Sequence, residues 1–417
     1  MMNIAIIGSG IAGLTCAHTL HPQHAIQVFE ANEYIGGHTA TIDLELQGKA
    51  WAIDTGFIVF NDRTYPRFQG LLDKLGVPYQ ATEMSFSVSN AQTGLIYNGH
   101  SLATLFAQKR NLLSPKFYGL LADILRFNKQ CKALYDTDIP AELTLGDYLQ
   151  QQQFSAYFAE NYILPMAAAI WSASLGEIEQ FPLKFFIQFF HNHGLLNVSD
   201  RPQWYTIQGG SKQYIPYFTR GLEDRLHVNQ AVQSVQRSEQ GVELLFKNGE
   251  RQHFDKVIFA CHSDQALSLL AQASALEQSV LGAIPYRDNE VVLHHDAKLL
   301  PPIPAAVASW NYHLDSNKAK PASVTYSMNI LQNLPADAPS FCVTLNNTAA
   351  IDPNKILRKF CYSHPVFSQA MVAAQQRRVE LQGQQHSYFC GAYWYNGFHE
   401  DGVRSALEVC QHLGVQP

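Results

Sequence analysis

An α/β fold, with a parallel sheet opening the chain and a second part of helices and antiparallel strands inserted into it, is the class this sequence predicts. Three observations carry that expectation. The chain opens on an apolar, β-rich run, Asn3-Ile4-Ala5-Ile6-Ile7, which meets Gly8-Ser9-Gly10-Ile11-Ala12-Gly13 and passes into a helix-like segment with Leu14, Ala17 and Leu20. A second apolar run, Ala25-Ile26-Gln27-Val28-Phe29, ends in an acid, Glu30. Segments that belong with this opening recur at 54–58, at 228–261 and at the very end, with helical and mixed stretches between them.

Strand, Gly-x-Gly-x-x-Gly turn, helix, strand and terminal acid, in that order, make a Rossmann-like dinucleotide-binding unit. Gly8 permits the tight turn, Gly10 lets a pyrophosphate approach the backbone, and Gly13 lets helix and strand pack closely. Free N–H groups where the helix begins, at Ile11 and Ala12 after Ser9, face the phosphates. Glu30, followed by Ala31, stands where it can accept both ribose hydroxyls. Taken alone, this unit accommodates either NAD or FAD.

The 417 residues are too many for one simple core and imply two domains. Hydrophobic content of 47% against 15% charged residues describes a well-buried globular chain. A net charge of −6 argues against nucleic acid as the main partner. Seven cysteines, scattered and without a CxxC pair or zinc spacing, read as reduced thiols. The first strand begins at Asn3, which leaves no room for a signal segment, so a cytoplasmic location is expected, with a peripheral contact to the inner membrane face as an option.

Past Glu30 comes a Gly-Gly pair, Gly36-Gly37, then His38. A two-strand pattern turning at Gln47-Gly48 feeds Asp54-Thr55-Gly56-Phe57. The spacing predicts a helix from Tyr65 to Leu75 that stops at Gly76. Residues 101–190 are mostly helical in pattern, and 286–345 alternate strand-like runs with polar, Pro-rich loops. The division expected is a discontinuous cofactor domain, 1–84 with 206–285 and 384–417, and a mixed helical and antiparallel-sheet substrate domain, 86–205 with 286–383.

A cofactor domain split in this way, closed by Gly391 and then Gly397-Phe398-His399-Glu400-Asp401-Gly402-Val403, resembles the flavin-containing amine oxidase superfamily, relatives of which include phytoene desaturases and protoporphyrinogen oxidases. The resemblance runs over essentially the whole chain, is strongest at both ends, and is closest to a bacterial branch of FAD-dependent oxidoreductases. It implies FAD, held non-covalently. The fingerprint would hold the pyrophosphate, Glu30 the ribose, and Gly36-Gly37 the phosphates. Thr55-Gly56-Phe57 would pass the flavin ring, Val232 would offer its backbone to adenine, and Phe398, His399 and Val403 would set a helix start at the flavin's pyrimidine edge. There a helix dipole stabilises the negative charge that reduction develops. Three departures from the family pattern stand out: His38 in place of the usual Arg, Ala392 in place of an acid after Gly391, and no Lys at the start of Asn289-Glu290-Val291.

His191-Asn192-His193 and His294-His295 lack a third ligand in register, so no metal is expected. Cys361-Tyr362 is read as a buried thiol beside a tyrosine, not as a flavin tether. The run 181–190, rich in Phe, reads as an internal helix packed on both sides, or else as the wall of an apolar tunnel or a lipid-dipping patch. Trp171, Phe185, Phe189, Tyr362 and Trp394 are the candidate substrate-lining residues. The expected activity is hydride removal from a carbon centre to flavin N5, a dehydrogenase or desaturase of an apolar or lipid-derived substrate, with no definite catalytic base. Two alternatives remain: an oxygen-dependent amine oxidase, and a redox-neutral flavoprotein that uses FAD structurally. The partners expected are a small apolar or amine substrate and an electron acceptor.

Overall fold

In the computed structural model, residues 1–171, 173–314 and 323–416 are described. Five parallel strands form the central sheet, in the order Leu226–His227, Ala25–Phe29, Asn3–Ile7, Lys256–Phe259 and Ser387–Phe389. Strand periodicity sends alternate side chains to opposite faces, and both faces are covered. Ala5, Ile7, Val257 and Phe259 pack beneath a three-stranded antiparallel layer, 232–254. Ile4, Ile6 and Ile258 pack against helix Ile11–Leu20 and the terminal helix His399–His412. Those two helices meet closely: a Cβ on Gly402 would come within 2.8 Å of the Ile11 side chain.

The second sheet has seven strands, ordered Ile356–Pro365, Tyr286–His294, Cys342–Leu345, Ser323–Ser327, Trp310–Leu314, Phe86–Asn90 and Ile96–Asn98. Its neighbours are antiparallel except 310–314 with 86–90, which run parallel. A helical layer, including Pro115–Leu134, Leu164–Trp171 and Leu183–Asn192, closes over it around Phe117, Phe127, Phe158, Phe186 and Phe190. Helix Pro66–Leu75 ends at a left-handed Gly76, as its spacing predicts. The terminal helix begins at His399, where the Asp401 side chain accepts from the Phe398 N–H. Among the described residues no helix is long and apolar enough to cross a membrane.

Candidate functional site

The fingerprint glycines divide their labour in space. Gly8 holds φ +102°, and a Cβ there would meet the Ala260 carbonyl oxygen at 2.9 Å. A Cβ on Gly13 would overlap the carbonyl oxygen of Gly8. Around Gly10 a Cβ would meet no protein atom within 4 Å. The turn is thus packed tight on two sides and open on the third. Helix Ile11–Leu20 starts from that open side with no side chain capping it, so its first N–H groups face outward without an intrahelical partner.

Glu30 is buried at the carboxyl end of its strand. Its oxygens accept from the Ser9 N–H (3.0 Å) and hydroxyl (2.6 Å), and from the Asn32 N–H (2.9 Å) and side-chain amide (2.8 Å). The acid therefore anchors the fingerprint turn as well as standing beside it. The loop before Val232 joins this corner, since the Gln230 and Asn229 N–H groups donate to the Glu30 and Asn32 carbonyls. Ala31 is exposed. Gly36 donates to the Ser9 hydroxyl at 3.2 Å, and Gly37, at φ +58°, rests on Gly10, where a Cβ would sit 3.1 Å from the Gly10 Cα.

From Gly37 the chain delivers His38 to a cluster of aromatic polar rings. Ring centroids of Tyr362, His364 and His262 lie 5.3, 5.6 and 6.1 Å away. Burial, with the neighbouring histidines adding, pushes the His38 pKa down to about 3 and that of His364 down to about 4, and burial lowers His262 as well. All three are neutral near pH 7. The Asn289 amide donates to His364 Nδ1 at 2.9 Å, which leaves the neutral ring's proton on Nε2. His38 Nε2 is buried without a hydrogen-bond partner. Thr55 and Phe57 lie along this segment, bonded to the Ala40 and His38 carbonyls, and the Thr55 and Tyr362 hydroxyls are 2.9 Å apart. Asp54 beneath them is buried with one oxygen unpartnered, and burial lifts its pKa to about 6.

At the other end of the site, Phe57 stacks on His399 at 3.6 Å. His399 Nε2 lies 3.3 Å from the Thr39 hydroxyl and 3.2 Å from that of Tyr214. Val403 packs with Ile11 and Phe57. The Gly391 N–H donates to Ser405 on the terminal helix at 2.9 Å. From the start of that helix the Phe398 ring stacks on Phe189 at 5.5 Å. Beyond it come Trp171, 4.7 Å from Phe189, and then Phe185 and Phe367, 5.1 Å apart.

Contacts link Gly8 through Gly13, Glu30, Gly36, Gly37, His38, Thr55, Gly56, Phe57, His399 and Val403 in one region, and Phe398, at the start of the terminal helix, joins it to the ring cluster of Phe189, Trp171 and Phe185. Trp394 departs from expectation. Its ring is fully buried beneath the parallel sheet with Phe389, and its indole N–H is bonded to the Phe389 carbonyl. It packs that core and does not join the Trp171 group. Cys361 is exposed, not buried, because strand alternation turns it away from Tyr362. That same alternation puts His364 on the Tyr362 side, a signal two residues from one already singled out. Among the described residues no group of three metal-ligating side chains assembles.

Comparison with known proteins identifies the family. The family model of flavin containing amine oxidoreductases matches residues 11–293. The chain belongs to that family. The match ends before the terminal motif. An L-amino-acid oxidase of Siganus canaliculatus is 22% identical over 329 residues, 71% of this chain and 55% of that protein, so the chain spans about half the length of this relative. Over 99% of both chains, a CLA-producing fatty acid isomerase from P. acnes superposes with a TM-score of 0.70 at 14% identity, and cyclohexylamine oxidase from Brevibacterium oxydans IH-35A with 0.68 at 14%. These two likenesses establish the fold. The residues present fit FAD: an open face at Gly10, an uncapped helix start and an unpartnered His38 nitrogen are what an anionic diphosphate would meet there.

Proposed function

We propose that this chain is an FAD-dependent dehydrogenase or desaturase of an apolar substrate. The observation that carries the reading is the aromatic group Trp171, Phe185, Phe189, Phe367 and Phe398, which adjoins the start of the terminal helix through Phe398. Among the described residues, the one titratable side chain in ring contact with it, His193, is held neutral by burial, its pKa lowered to about 4. Such a surface covers a hydrocarbon and offers no counter-charge to an ammonium or carboxylate head.

In this reading the Gly10 backbone and the start of helix Ile11–Leu20 hold the FAD pyrophosphate. Glu30 holds the ribose, and Val232 lies by the adenine. His38 faces the phosphates, and Thr55-Gly56-Phe57 with the start of helix His399–His412 flank the flavin. Bound there, FAD supplies a hydride acceptor. The chain's own task is to orient the substrate carbon and exclude water. The cofactor part is 1–84, 206–285 and 384–417, and the substrate part 86–205 and 286–383. In support, all five parallel strands come from the first set and all seven strands of the mixed sheet from the second.

Asn289, at the start of strand Tyr286–His294, spends its amide on His364 and the Arg287 carbonyl and brings no fixed cation to the site. Photoreduced enzyme is therefore expected to reoxidise slowly in air and quickly with a quinone acceptor. Fast aerobic reoxidation with peroxide release would instead support the amine-oxidase reading, to which the L-amino-acid oxidase likeness lends weight.

A further inference from the structure

Five of the ten large apolar side chains exposed among the described residues fall between 102 and 125: Leu102 (78% exposed), Leu112 (48%), Leu113 (88%), Tyr118 (48%) and Leu125 (57%). They form one face. Phe106, next to the short helix Leu102–Leu105, packs its ring on Phe117 and Tyr118, and the Tyr118 hydroxyl donates to the Leu112 carbonyl at 3.0 Å. Along helix Pro115–Leu134, Tyr118, Ala122, Leu125, Lys129 and Lys132 follow one another at steps of four and three, all exposed. Phe117, Leu120, Phe127 and Cys131 on the other side are buried in the helical core.

The charge of this region runs against that of the chain. Residues 91–134 hold six Lys and Arg and a single carboxylate, in a protein with 29 Lys and Arg against 35 Asp and Glu. The one carboxylate, Asp123, is engaged by Arg126 and the Ser155 hydroxyl. Among the described residues no carboxylate forms a salt bridge with Lys109, Lys116 or Lys129, while Lys132 acts on the carboxylate of Asp200. Exposed leucines flanked by unpaired cations match a bilayer whose surface is anionic and whose interior is apolar. A soluble polyanion would leave the leucines in water.

We propose that this face, the loop 102–114 with the outer side of helix Pro115–Leu134, docks the protein on an anionic lipid bilayer. Docking occurs here and not through the run 181–190, whose apolar side chains are all buried except the half-buried Phe185. Behind the docked helix, Phe127 lies 6.2 Å from Phe186 of the aromatic helix, so one layer of side chains separates the bilayer face from the core that carries Trp171 and Phe189.

Flotation of the FAD-loaded protein tests the proposal, with vesicles of phosphatidylcholine alone and of phosphatidylcholine mixed with phosphatidylglycerol. Binding is expected to the mixed vesicles only, and to weaken in high salt. At roughly five-fold per basic residue near an anionic surface, Lys109→Gln, Lys116→Gln and Lys129→Gln together lower partitioning about a hundred-fold. Leu112→Ser with Leu113→Ser lowers it at least about ten-fold. Both variants retain the wild-type flavin spectrum and thermal midpoint, which separates loss of docking from loss of fold. No binding to either vesicle, equal binding to both, or binding unchanged in the two variants overturns the proposal. So does tighter binding to double-stranded DNA than to the mixed vesicles, which would assign the face to nucleic acid.

Discussion

Replacing Gly10 by Val separates cofactor binding from folding at a single position. The backbone there, φ −65° and ψ −180°, is one an L-residue adopts, and a Cβ would meet no protein atom within 4 Å. The apo-protein should therefore fold as well as wild type. Removing a glycine from the unfolded ensemble is worth about 0.4–1 kcal/mol in its favour, partly offset by the β-branch. The added methyl groups occupy the open side of the turn, where the diphosphate reaches the uncapped helix start. Losing two charged hydrogen bonds there, at about 1.5–3 kcal/mol each, weakens FAD binding by roughly two to four orders of magnitude. Flavin-fluorescence titration of the apo-protein measures the affinity, and thermal unfolding without FAD measures the fold. In wild type, FAD at a hundred times its Kd adds about 2.7 kcal/mol of stability, an increment the variant should lack. Gly13→Ala is the contrasting control, because its Cβ overlaps the Gly8 carbonyl and the apo-fold itself should fail. A Gly10→Val protein that binds FAD with wild-type affinity would show that the diphosphate does not lie on this turn.

Glu30→Ala should cost more than a ribose contact, since four donors of Ser9 and Asn32 lose their acceptor. FAD affinity should fall at least about ten-fold, with a lower apo-protein thermal midpoint alongside it, whereas Glu30→Gln should recover part of the midpoint. His38→Arg should tighten FAD binding several-fold in the same titration, because a guanidinium fork holds phosphate where a neutral imidazole with a free Nε2 now stands. His38 and His364 have folded pKa values, about 3 and about 4, below the unfolded 6.5. Their contribution to stability is thus fully present above pH 6.5 and lost as pH falls towards 4, at up to about 1.4 kcal/mol per pH unit for each ring. Asp54, raised from 3.8 to about 6, works the opposite way over 4–6 and offsets one of them. Urea unfolding of the apo-protein should show stability falling from pH 6.5 to 5, with a shallower slope in the double variant His38→Gln, His364→Gln. An unchanged slope would show that these rings are not the acid-sensitive groups.

Local patterns in the sequence carried the parts of this fold that local chemistry determines. The opening βαβ unit, the hairpin at Gln47-Gly48 and the helix end at Gly76 each rest on residues within a few positions of one another, and each stands where its pattern puts it. Strands Phe86–Asn90 and Trp204–Ile207 were not legible, because their partners lie elsewhere: 310–314 for the first, and 59–61 and 79–82 for the second. The aromatic residues divide in the same way. Helical spacing marked the run 181–190 as helical, but the helix, Leu183–Asn192, is buried on one side only, through Leu183, Phe186, Ile187, Phe189 and Phe190. It turns Lys184, Gln188 and His191 outward, so it is not packed on both sides. Nothing in the neighbourhood of Trp394 says that its ring turns beneath the parallel sheet. His38 was marked by its place after Gly36-Gly37, but His262 and His364 join it only through tertiary folding, from the turn after strand Lys256–Phe259 and from strand Ile356–Pro365.

Anaerobic mixing of the FAD-loaded protein with matched sets of substrates tests the central claim most directly, one set of unsaturated or saturated apolar chains and one of primary amines and L-amino acids, followed by loss of the oxidised-flavin absorbance. The account expects a member of the apolar set to bleach the flavin, with Trp171→Ala and Phe189→Ala slowing that reduction and leaving FAD content unchanged. Bleaching by amines or L-amino acids alone, indifferent to both substitutions, would contradict it.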